Sequence, residues 1–372
     1  MSTAWYAVES PEQIDSPALL VYPERIRQNI ATMIRMAGSP KRLRPHVKTH
    51  KMAEVVKMQL EQGIRQFKCA TIAEAEMLAD AGAQDILLAY QLPYTKVMRL
   101  MQLVKQYPEI RFASLVDNLG SARLLSEYFS EEELMAEVWI DVDNGMHRTG
   151  HAVDAGLLSL YKQLMKLPHV LCRGFHIYDG HLHAQDFSER RHACDAAFAP
   201  VKAMLKEIAN EHLPHPAVIA GGTPTFPAHA LRPEVVCSPG TCLLWDEGYR
   251  QQLPEQAFDI AALLLTRIIS KPVPGLITID LGHKAVAAEN PLSKRVAFLN
   301  LQNYELVSQS EEHLVIKISV EDWQRHRIGD VLYGVPYHIC PTVALYDEAS
   351  VIIGGQETER WKIPARRRRI TV

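Results

Sequence analysis

The chain has 372 residues, a formal net charge of -3 and the apolar and charged content of an ordinary globular protein. This length exceeds one average domain, so we expect two domains, or one barrel with an addition. Nothing in the charge favours a nucleic-acid partner, and we interpret the basic run from Arg366 to Arg369 as a solvated tail. No apolar run is long enough to span a bilayer, and the N-terminus lacks the pattern of a signal peptide.

The six cysteines are scattered without C-x-x-C spacing, at Cys69, Cys172, Cys194, Cys237, Cys242 and Cys340. This pattern predicts reduced thiols in a cytoplasmic protein. It argues against a disulfide framework and against a four-cysteine zinc site.

Eight short apolar runs alternate with helix-like segments in the first two thirds of the chain, as parallel strands covered on both faces should. Between them, 71–82 opens with a capping box of Thr71 and Glu74 and stops at Gly82, and 190–212 is a longer amphipathic candidate. Eight such strands joined by crossovers predict an α/β fold, a (β/α)8 TIM-type barrel. The runs are 42–48, 65–71, 85–90, 111–117, 137–143, 172–179, 217–222 and 235–241.

After about residue 250 the pattern changes to strands separated by turns, with few helices. This predicts a mostly antiparallel second domain, so we place the barrel in 1–250 and the β-domain in 251–372. The early run 17–22 fits either part, and residues 1–23 are expected to join the second domain in part. The later runs are 258–270, 276–281, 304–309, 313–318, 330–336 and 351–355.

The stretch "LRPHVKTHK" places Lys48 between two histidines at the end of the first predicted strand, with Arg44 and Lys51 nearby. Neighbouring cations favour the neutral form of a lysine amine, and a neutral amine is a nucleophile that forms Schiff bases with carbonyls. A basic surface loop remains the alternative interpretation of these residues alone.

Other polar or glycine-rich segments also follow predicted strands, which is where a barrel carries its active site. Tyr178 and Asp179 end the sixth strand, "GGTPT" (221–225) follows the seventh, and "SPGT" (238–241) follows the eighth. Glycine-rich loops at these two positions commonly bind phosphate through backbone N–H groups. A nucleophilic lysine facing a phosphate cradle is what pyridoxal 5'-phosphate needs.

These motifs together resemble the D-threonine aldolase and D-serine dehydratase family, pyridoxal-phosphate enzymes of the alanine-racemase fold. The likeness runs from "DSPALLVYPERIRQNI" (15–30) to "HICPTVALYD" (338–347). It implies that Lys48 forms the aldimine, that Arg148 in "IDVDNGMHRTG" reaches the phenolic oxygen, and that Tyr178 in "HIYDGH" lies by the pyridine ring. The phosphate contacts that it implies come from Gly221, Gly222, Thr223, Gly240 and Thr241.

The resemblance also implies a divalent metal in the second domain, on His338 and Cys340 of "PYHICPT". Residues two apart on a strand point to one face, so both side chains would reach one ion. A thiolate with an imidazole suits zinc best. Aldolase members often have a carboxylate in the second place, which suits manganese or magnesium, so Cys340 departs from the aldolase pattern.

A second departure follows Tyr178, where many aldolases have a Gln-His pair and this chain has "DGHLHA". His181 or His183 is expected to supply the catalytic imidazole, and the alternative is that both are polar loop residues.

The resemblance implies a homodimeric lyase of β-hydroxy-D-amino acids that cleaves its substrate to glycine and an aldehyde. A dehydratase of D-serine or 3-hydroxy-D-aspartate is the alternative, because a metal at the β-hydroxyl serves both reactions. A non-catalytic pyridoxal-phosphate carrier and an amino-acid racemase are further alternatives, although neither needs the metal pair.

Overall fold

The computed structural model describes residues 4–372 and divides into two compact units. Residues 1–3, which belong to the predicted first domain, lie outside the described part. The barrel unit contains residues 31–48, 53–240 and 367–372, and the β-unit contains residues up to 30, 49–52 and 241–366.

The strands are numbered in chain order. They are β1 Ala18–Val21, β2 Gln66–Cys69, β3 Asp85–Gln91, β4 Arg111–Val116, β5 Ala136–Asp143, β6 His151–Ala152, β7 Val170–Ile177, β8 Ala217–Ala220, β9 Val235–Cys237, β10 Ala262–Ser270, β11 Leu276–Ile279, β12 Val296–Phe298, β13 Glu305–Gln309, β14 Leu314–Lys317, β15 Val331–Pro336, β16 Glu348–Ile353 and β17 Gln356–Lys362.

The α-helices follow the same order. They are α1 Pro23–Ala37, α2 Ala53–Glu61, α3 Ile72–Asp80, α4 Tyr94–Gln106, α5 Leu119–Glu131, α6 Ala155–Leu164, α7 Phe187–Asn210, α8 Phe226–Ala230, α9 Glu247–Gln252, α10 Val320–Arg325 and α11 Ile339–Val343.

The barrel unit contains a parallel sheet in the order β2-β3-β4-β5-β7-β8-β9, which confirms the predicted alternation of strands and helices. Its buried residues include an apolar cluster of Leu87, Ala113, Leu115, Trp139 and Ile219. Helix α3 begins as the sequence predicts, because Thr71 is its N-cap and accepts from the backbone N–H of Glu74.

The first predicted strand, 42–48, is not a regular strand. Its residues make isolated parallel bridges instead, from Leu43 to Cys237 on β9 and from His46 to Lys68 on β2. Pro45 lies between the bridges and has no N–H to donate, so a continuous ladder of β-sheet hydrogen bonds cannot form. The Pro45 carbonyl accepts from the Lys68 N–H at 2.9 Å. Because this segment bonds to both edge strands, it closes the barrel, and Lys48 lies in the turn that follows.

The β-unit contains the second sheet, in the order β13-β14-β11-β10-β1-β16-β17, with β15 and β12 attached beside β10. Every pairing is antiparallel except that of β1 with β16, so the mostly antiparallel domain is confirmed. Strand β1 shows that the run 17–22 belongs to this sheet, between β10 and β16.

Two global features of the described chain bear on the expectations from composition. Among residues 4–372, no helix combines the length and apolarity that crossing a bilayer requires. Each of the six cysteines, all within that range, is a free thiol.

Candidate active site

Lys48 has an exposed side chain at the end of the segment that closes the barrel. Its backbone N–H donates to His46 Nδ1 at 3.2 Å, which fixes the turn. The amine is therefore presented by a constrained backbone without being packed in the core.

The predicted crowd of cations around Lys48 is wrong in part. The Arg44 guanidinium is buried and pairs with the Asp85 carboxylate at 2.6 Å, so its charge is compensated. Burial lowers the pKa of His50 to about 3, so this imidazole is neutral at physiological pH. Arg44 is therefore a cation paired with a carboxylate, and His50 adds no positive charge.

The loop after β5 is held by carboxylates that accept from its backbone. Asp143 Oδ1 accepts from the N–H groups of Gly145 (3.0 Å) and His147 (2.9 Å), and Asp117 accepts from that of Gly150 (3.2 Å). Burial raises the pKa of Asp143, but these hydrogen bonds and the His147 imidazole lower it overall. The loop thereby holds Arg148, whose guanidinium carbon lies 4.8 Å from the centroid of the Tyr178 ring.

Tyr178 and the two glycine-rich loops form one constellation. A Cβ at Gly222 would lie 2.9 Å from Tyr178 Cε2, so only glycine lets the ring approach the loop backbone this closely. The N–H of Gly240 donates to Thr223 Oγ1 at 3.2 Å, which joins the loop after β9 to the loop after β8. Thr241 directly follows Gly240 in the chain and belongs to the β-unit.

A buried polar network supports the loop after β8. Asp179 accepts from Thr225 Oγ1 at 2.6 Å and from His229 Nε2 at 2.7 Å. Arg232 donates to His229 Nδ1 at 2.9 Å, and a guanidinium can only donate, so Nδ1 is unprotonated and Nε2 carries the hydrogen. His229 in turn lies against the loop, because a Cβ at Gly221 would be 2.6 Å from its Cδ2.

Among the described residues, the side chains of Asp179, Cys194 and His229 approach one another closely enough to hold a metal. The contacts of this group with Arg232 argue against a bound metal. The Arg232 guanidinium bonds to the imidazole and lies 3.7 Å from Cys194 Sγ, where it would repel a cation. We interpret the group as a structural network beneath the glycine loop.

We expect Asp179→Asn to lower the free energy of unfolding by about 2 kcal/mol, because it removes the buried charge that accepts from Thr225 and His229. Chemical denaturation of the cofactor-free protein measures this. Asp195→Asn is the matched control, since Asp195 is half-exposed and should cost less than about 1 kcal/mol. Equal losses in the two variants would contradict the assigned role.

The network also has a pH signature. Burial raises the pKa of Asp179, but the hydrogen bonds that it accepts from His229 and from the Thr225 hydroxyl lower it overall. A carboxyl group whose pKa is lower in the folded state than in the unfolded state stabilises the fold fully at pH values above its unfolded-state pKa. That contribution is lost as the pH falls through the folded-state pKa.

The two candidate catalytic histidines differ in their surroundings. His181 lies against the loop that carries Arg148, since a Cβ at Gly145 would be 3.2 Å from its Nε2. His183 is exposed. Within the described residues, the Nδ1 atom of His181 and both amide atoms of Asn144 are buried without a hydrogen-bond partner. Buried polar atoms are normally satisfied, so these are atoms that a bound ligand could serve.

Sequence reasoning missed a buried chain of polar side chains inside the barrel. Lys68 Nζ lies 3.4 Å from His176 Nε2, and His176 Nδ1 lies 2.8 Å from Asp141 Oδ1. Asp141 Oδ2 also accepts from Gln91 (2.9 Å) and Thr149 (2.8 Å). A lysine between Phe67 and Cys69 of β2 was the signal that could have revealed this chain.

Within the β-unit, His338 and Cys340 meet, although not as predicted. Strand β15 ends at Pro336, and His338 is the N-cap of α11, so the pair does not lie on a strand. Burial lowers the pKa of His338, but its hydrogen bonds with Cys340 and with the Glu289 carboxylate outweigh burial and raise it to about 9. His338 Nδ1 lies 2.6 Å from the Glu289 carboxylate.

Two threonines lie close to the Cys340 thiol in the same unit. Cys340 Sγ is 3.2 Å from Thr49 Oγ1 and 3.5 Å from Thr241 Oγ1. In the sequence, these threonines directly follow Lys48 and Gly240, two of the residues expected to hold the cofactor.

The fold and these residues define an alanine-racemase-type chain. Residues 21–246, more than half of the chain, match the family model described as "Alanine racemase, N-terminal domain", and the chain belongs to that family. Residues 261–352 match a second model, described as "Putative serine dehydratase domain".

The chain is similar over nearly its whole length to characterised lyases. It is 26% identical to the D-threonine aldolase of Arthrobacter sp over 359 residues, which are 95% of this chain and 93% of that one. It is also 26% identical to the D-threo-3-hydroxyaspartate dehydratase of Delftia sp. (strain HT23), over 94% of this chain and 97% of that one.

Solved structures show the same fold. The D-threonine aldolase from Filomicrobium marinum superposes with a TM-score of 0.87 at 24% identity, covering 95% of each chain. A mutant of the D-threo-3-hydroxyaspartate dehydratase, solved in its metal-free form, superposes with a TM-score of 0.79 at 23% identity, over 94% of this chain and 97% of that one. The family assignment made from the sequence motifs is thereby confirmed.

Proposed function

We propose that this protein is a pyridoxal-phosphate- and metal-dependent lyase that cleaves β-hydroxy-D-amino acids to glycine and an aldehyde, as a D-threonine aldolase does. The observation that carries the proposal is the constellation in the barrel unit, where Tyr178 packs on one glycine loop and a hydrogen bond joins that loop to the other. The whole-length likeness to an aldolase and to a hydroxyaspartate dehydratase supports the choice of reaction class.

The residues present fit the cofactor. The exposed amine of Lys48 is available for a covalent link, and Gly222 leaves no Cβ between Tyr178 and the backbone of the loop after β8. Arg148 beside the Tyr178 ring supplies a cation for the phenolic oxygen, and Gly221, Gly222, Thr223, Gly240 and Thr241 would hold the phosphate. When bound, pyridoxal phosphate supplies an electron sink for the Cα carbanion.

His181 is our candidate for moving the proton of the β-hydroxyl. It lies against the loop of Arg148, and its buried Nδ1 has no partner among the described residues. An imidazole can take up a proton near neutral pH. The side chain of His183 is exposed, so we assign the proton transfer to His181.

His338 and Cys340 would hold the metal, because an imidazole and a thiol that already contact one another offer two ligand atoms of the kind that zinc prefers. Glu289 accepts at His338 Nδ1, which leaves Nε2 as the ligand atom and orients the ring as carboxylates do at zinc sites. Zinc fits the thiol best, and manganese or magnesium is the alternative. The metal would act as a Lewis acid toward the hydroxyl of the substrate.

A dehydratase of D-serine or 3-hydroxy-D-aspartate is the second candidate. Cys340 favours it, because the aldolase pattern has a carboxylate at this position. A carrier or a racemase is disfavoured, since neither uses the metal pair in the β-unit. We further propose that the enzyme is cytoplasmic and homodimeric, on the basis of the free thiols and of the fold family.

Incubation with D-threonine should yield glycine and acetaldehyde, because cleavage breaks Cα–Cβ, and both products can be quantified by chromatography. Dehydration would instead give 2-oxobutanoate and ammonia. D-serine and 3-hydroxy-D-aspartate are run in parallel, and the L-isomers serve as matched controls that should be inert. Ammonia with an oxo acid and no glycine, from any of these substrates, would overturn the aldolase in favour of the dehydratase.

A further inference from the structure

Lys68 lies inside the barrel, where a charged amine is costly. The residue is 2% exposed. An ammonium has three N–H donors, and within the described residues one hydrogen-bond partner, His176 Nε2 at 3.4 Å, faces this amine. Burial, with the charges of Lys48 and Arg44, lowers the pKa of Lys68 to about 7 against the opposing pull of Asp141 and Asp179. Near neutral pH the amine is therefore divided between its charged and neutral forms.

The geometry lets Lys68 share its proton with His176. Asp141 lies 2.8 Å from His176 Nδ1, and a carboxylate only accepts, so Nδ1 carries the hydrogen and Nε2 presents its lone pair to Lys68. A proton that moves from Lys68 Nζ to His176 Nε2 leaves a neutral amine and an imidazolium stabilised by Asp141. Burial and the charge of Lys68 lower the pKa of His176, so the resting proton is on the lysine.

This chain of residues lies against the candidate cofactor site. Lys68 Nζ is 5.8 Å from the centroid of the Tyr178 ring. Lys68 also lies beside the segment that carries Lys48, because its backbone carbonyl accepts from the N–H of Val47 at 2.9 Å. A positive charge on Lys68 would therefore disfavour a second positive charge on the bound cofactor's link to this segment. Other ionisable groups face this region from the neighbouring strands and loops. They are Arg44, Asp141, Arg148, His176 and Asp179.

We propose that Lys68 is an electrostatic positioning residue of the cofactor site, which shares one proton with His176 and whose charge controls the protonation of the nitrogen that links Lys48 to pyridoxal phosphate. This inference rests on the proposed function only for the identity of the cofactor. Its consequence is that the pH at which the bound cofactor changes colour depends on the charge of residue 68.

The test compares a variant whose side chain at residue 68 is never charged with one whose side chain there is always charged. In holoenzyme, Lys68→Met should move the midpoint of the visible pH titration upward by roughly one unit. Lys68→Arg should leave the midpoint at the wild-type value or below. Lys105→Met, at a half-exposed lysine paired with Glu132, should titrate as wild type does. An unchanged midpoint in Lys68→Met, or an equal upward shift in both Lys68 variants, would overturn the proposal.

A second measurement uses the cofactor-free wild-type protein, so it depends neither on the folding of a variant nor on the proposed function. The ¹⁵N resonances of Lys68 Nζ and of the His176 ring nitrogens should change together at a pH of about 7. A His176 ring that does not respond while Lys68 titrates would overturn the proton sharing. A wild-type holoenzyme preparation without visible absorbance would instead contradict the proposed function.

Discussion

Lys48→Ala is expected to reduce turnover by at least about 10³-fold while the fold is retained. Lys48 is the residue proposed to hold the cofactor covalently. Its side chain is exposed in a turn, so its removal costs no core packing. Turnover with D-threonine and circular dichroism of the same preparation measure the two halves of this expectation, and a folded variant that stays active would contradict it.

Borohydride reduction locates the covalent link independently of turnover. The label should map to the peptide that contains Lys48. Lys284 is a poor candidate, because hydrogen bonds to Glu311 and Glu312 raise its pKa and keep it charged. Lys68 is the informative competitor, since its lowered pKa also provides a neutral amine. A label on Lys68 or Lys51 would assign the nucleophile differently and would overturn the role given to Lys48.

The barrel was predictable because its strands are short apolar runs, and such runs follow from burial on both faces. The segment 42–48 has the same composition, but Pro45 interrupts its ladder, and its two bridges depend on partners far away in the sequence. Strand β17, in contrast, was not predicted from the sequence. It pairs with β16 although most of its side chains are polar, so its pattern lacks the apolar alternation of a half-buried strand.

The candidate site was predictable where its residues belong to local motifs, as the glycine loops do. The Lys68–His176–Asp141 chain comes from three separate strands, so only tertiary structure brings these side chains together. At "HICPT" the sequence did contain a signal against a strand. Pro341 lies in the first turn of α11, a position that proline favours, whereas a strand interior disfavours it.

Removing the metal is expected to abolish lyase activity while the visible absorbance of the cofactor remains. The reason is that the proposed metal ligands, His338 and Cys340, are not among the residues proposed to bind the cofactor. Dialysis against a chelator, followed by an assay and a spectrum of the same sample, measures both. Zinc added back should restore turnover, and full activity in a metal-free sample would remove the metal from the mechanism.

Cys340→Asp tests whether the ligand atom at residue 340 determines which metal the protein prefers. A carboxylate is a harder ligand than a thiolate, so the preference should move from zinc toward manganese, measured as the ratio of activities restored by the two ions after chelation. The His338–Glu289 contact is left in place by this change, so the second ligand remains oriented. Cys172→Ser, at a thiol whose pKa is raised to about 12 by burial, is the control and should keep the wild-type ratio. An unaltered ratio in Cys340→Asp would mean that Cys340 is not a ligand. The thiol would then only pack beside Thr49 and Thr241, and Cys340 would no longer favour a dehydratase.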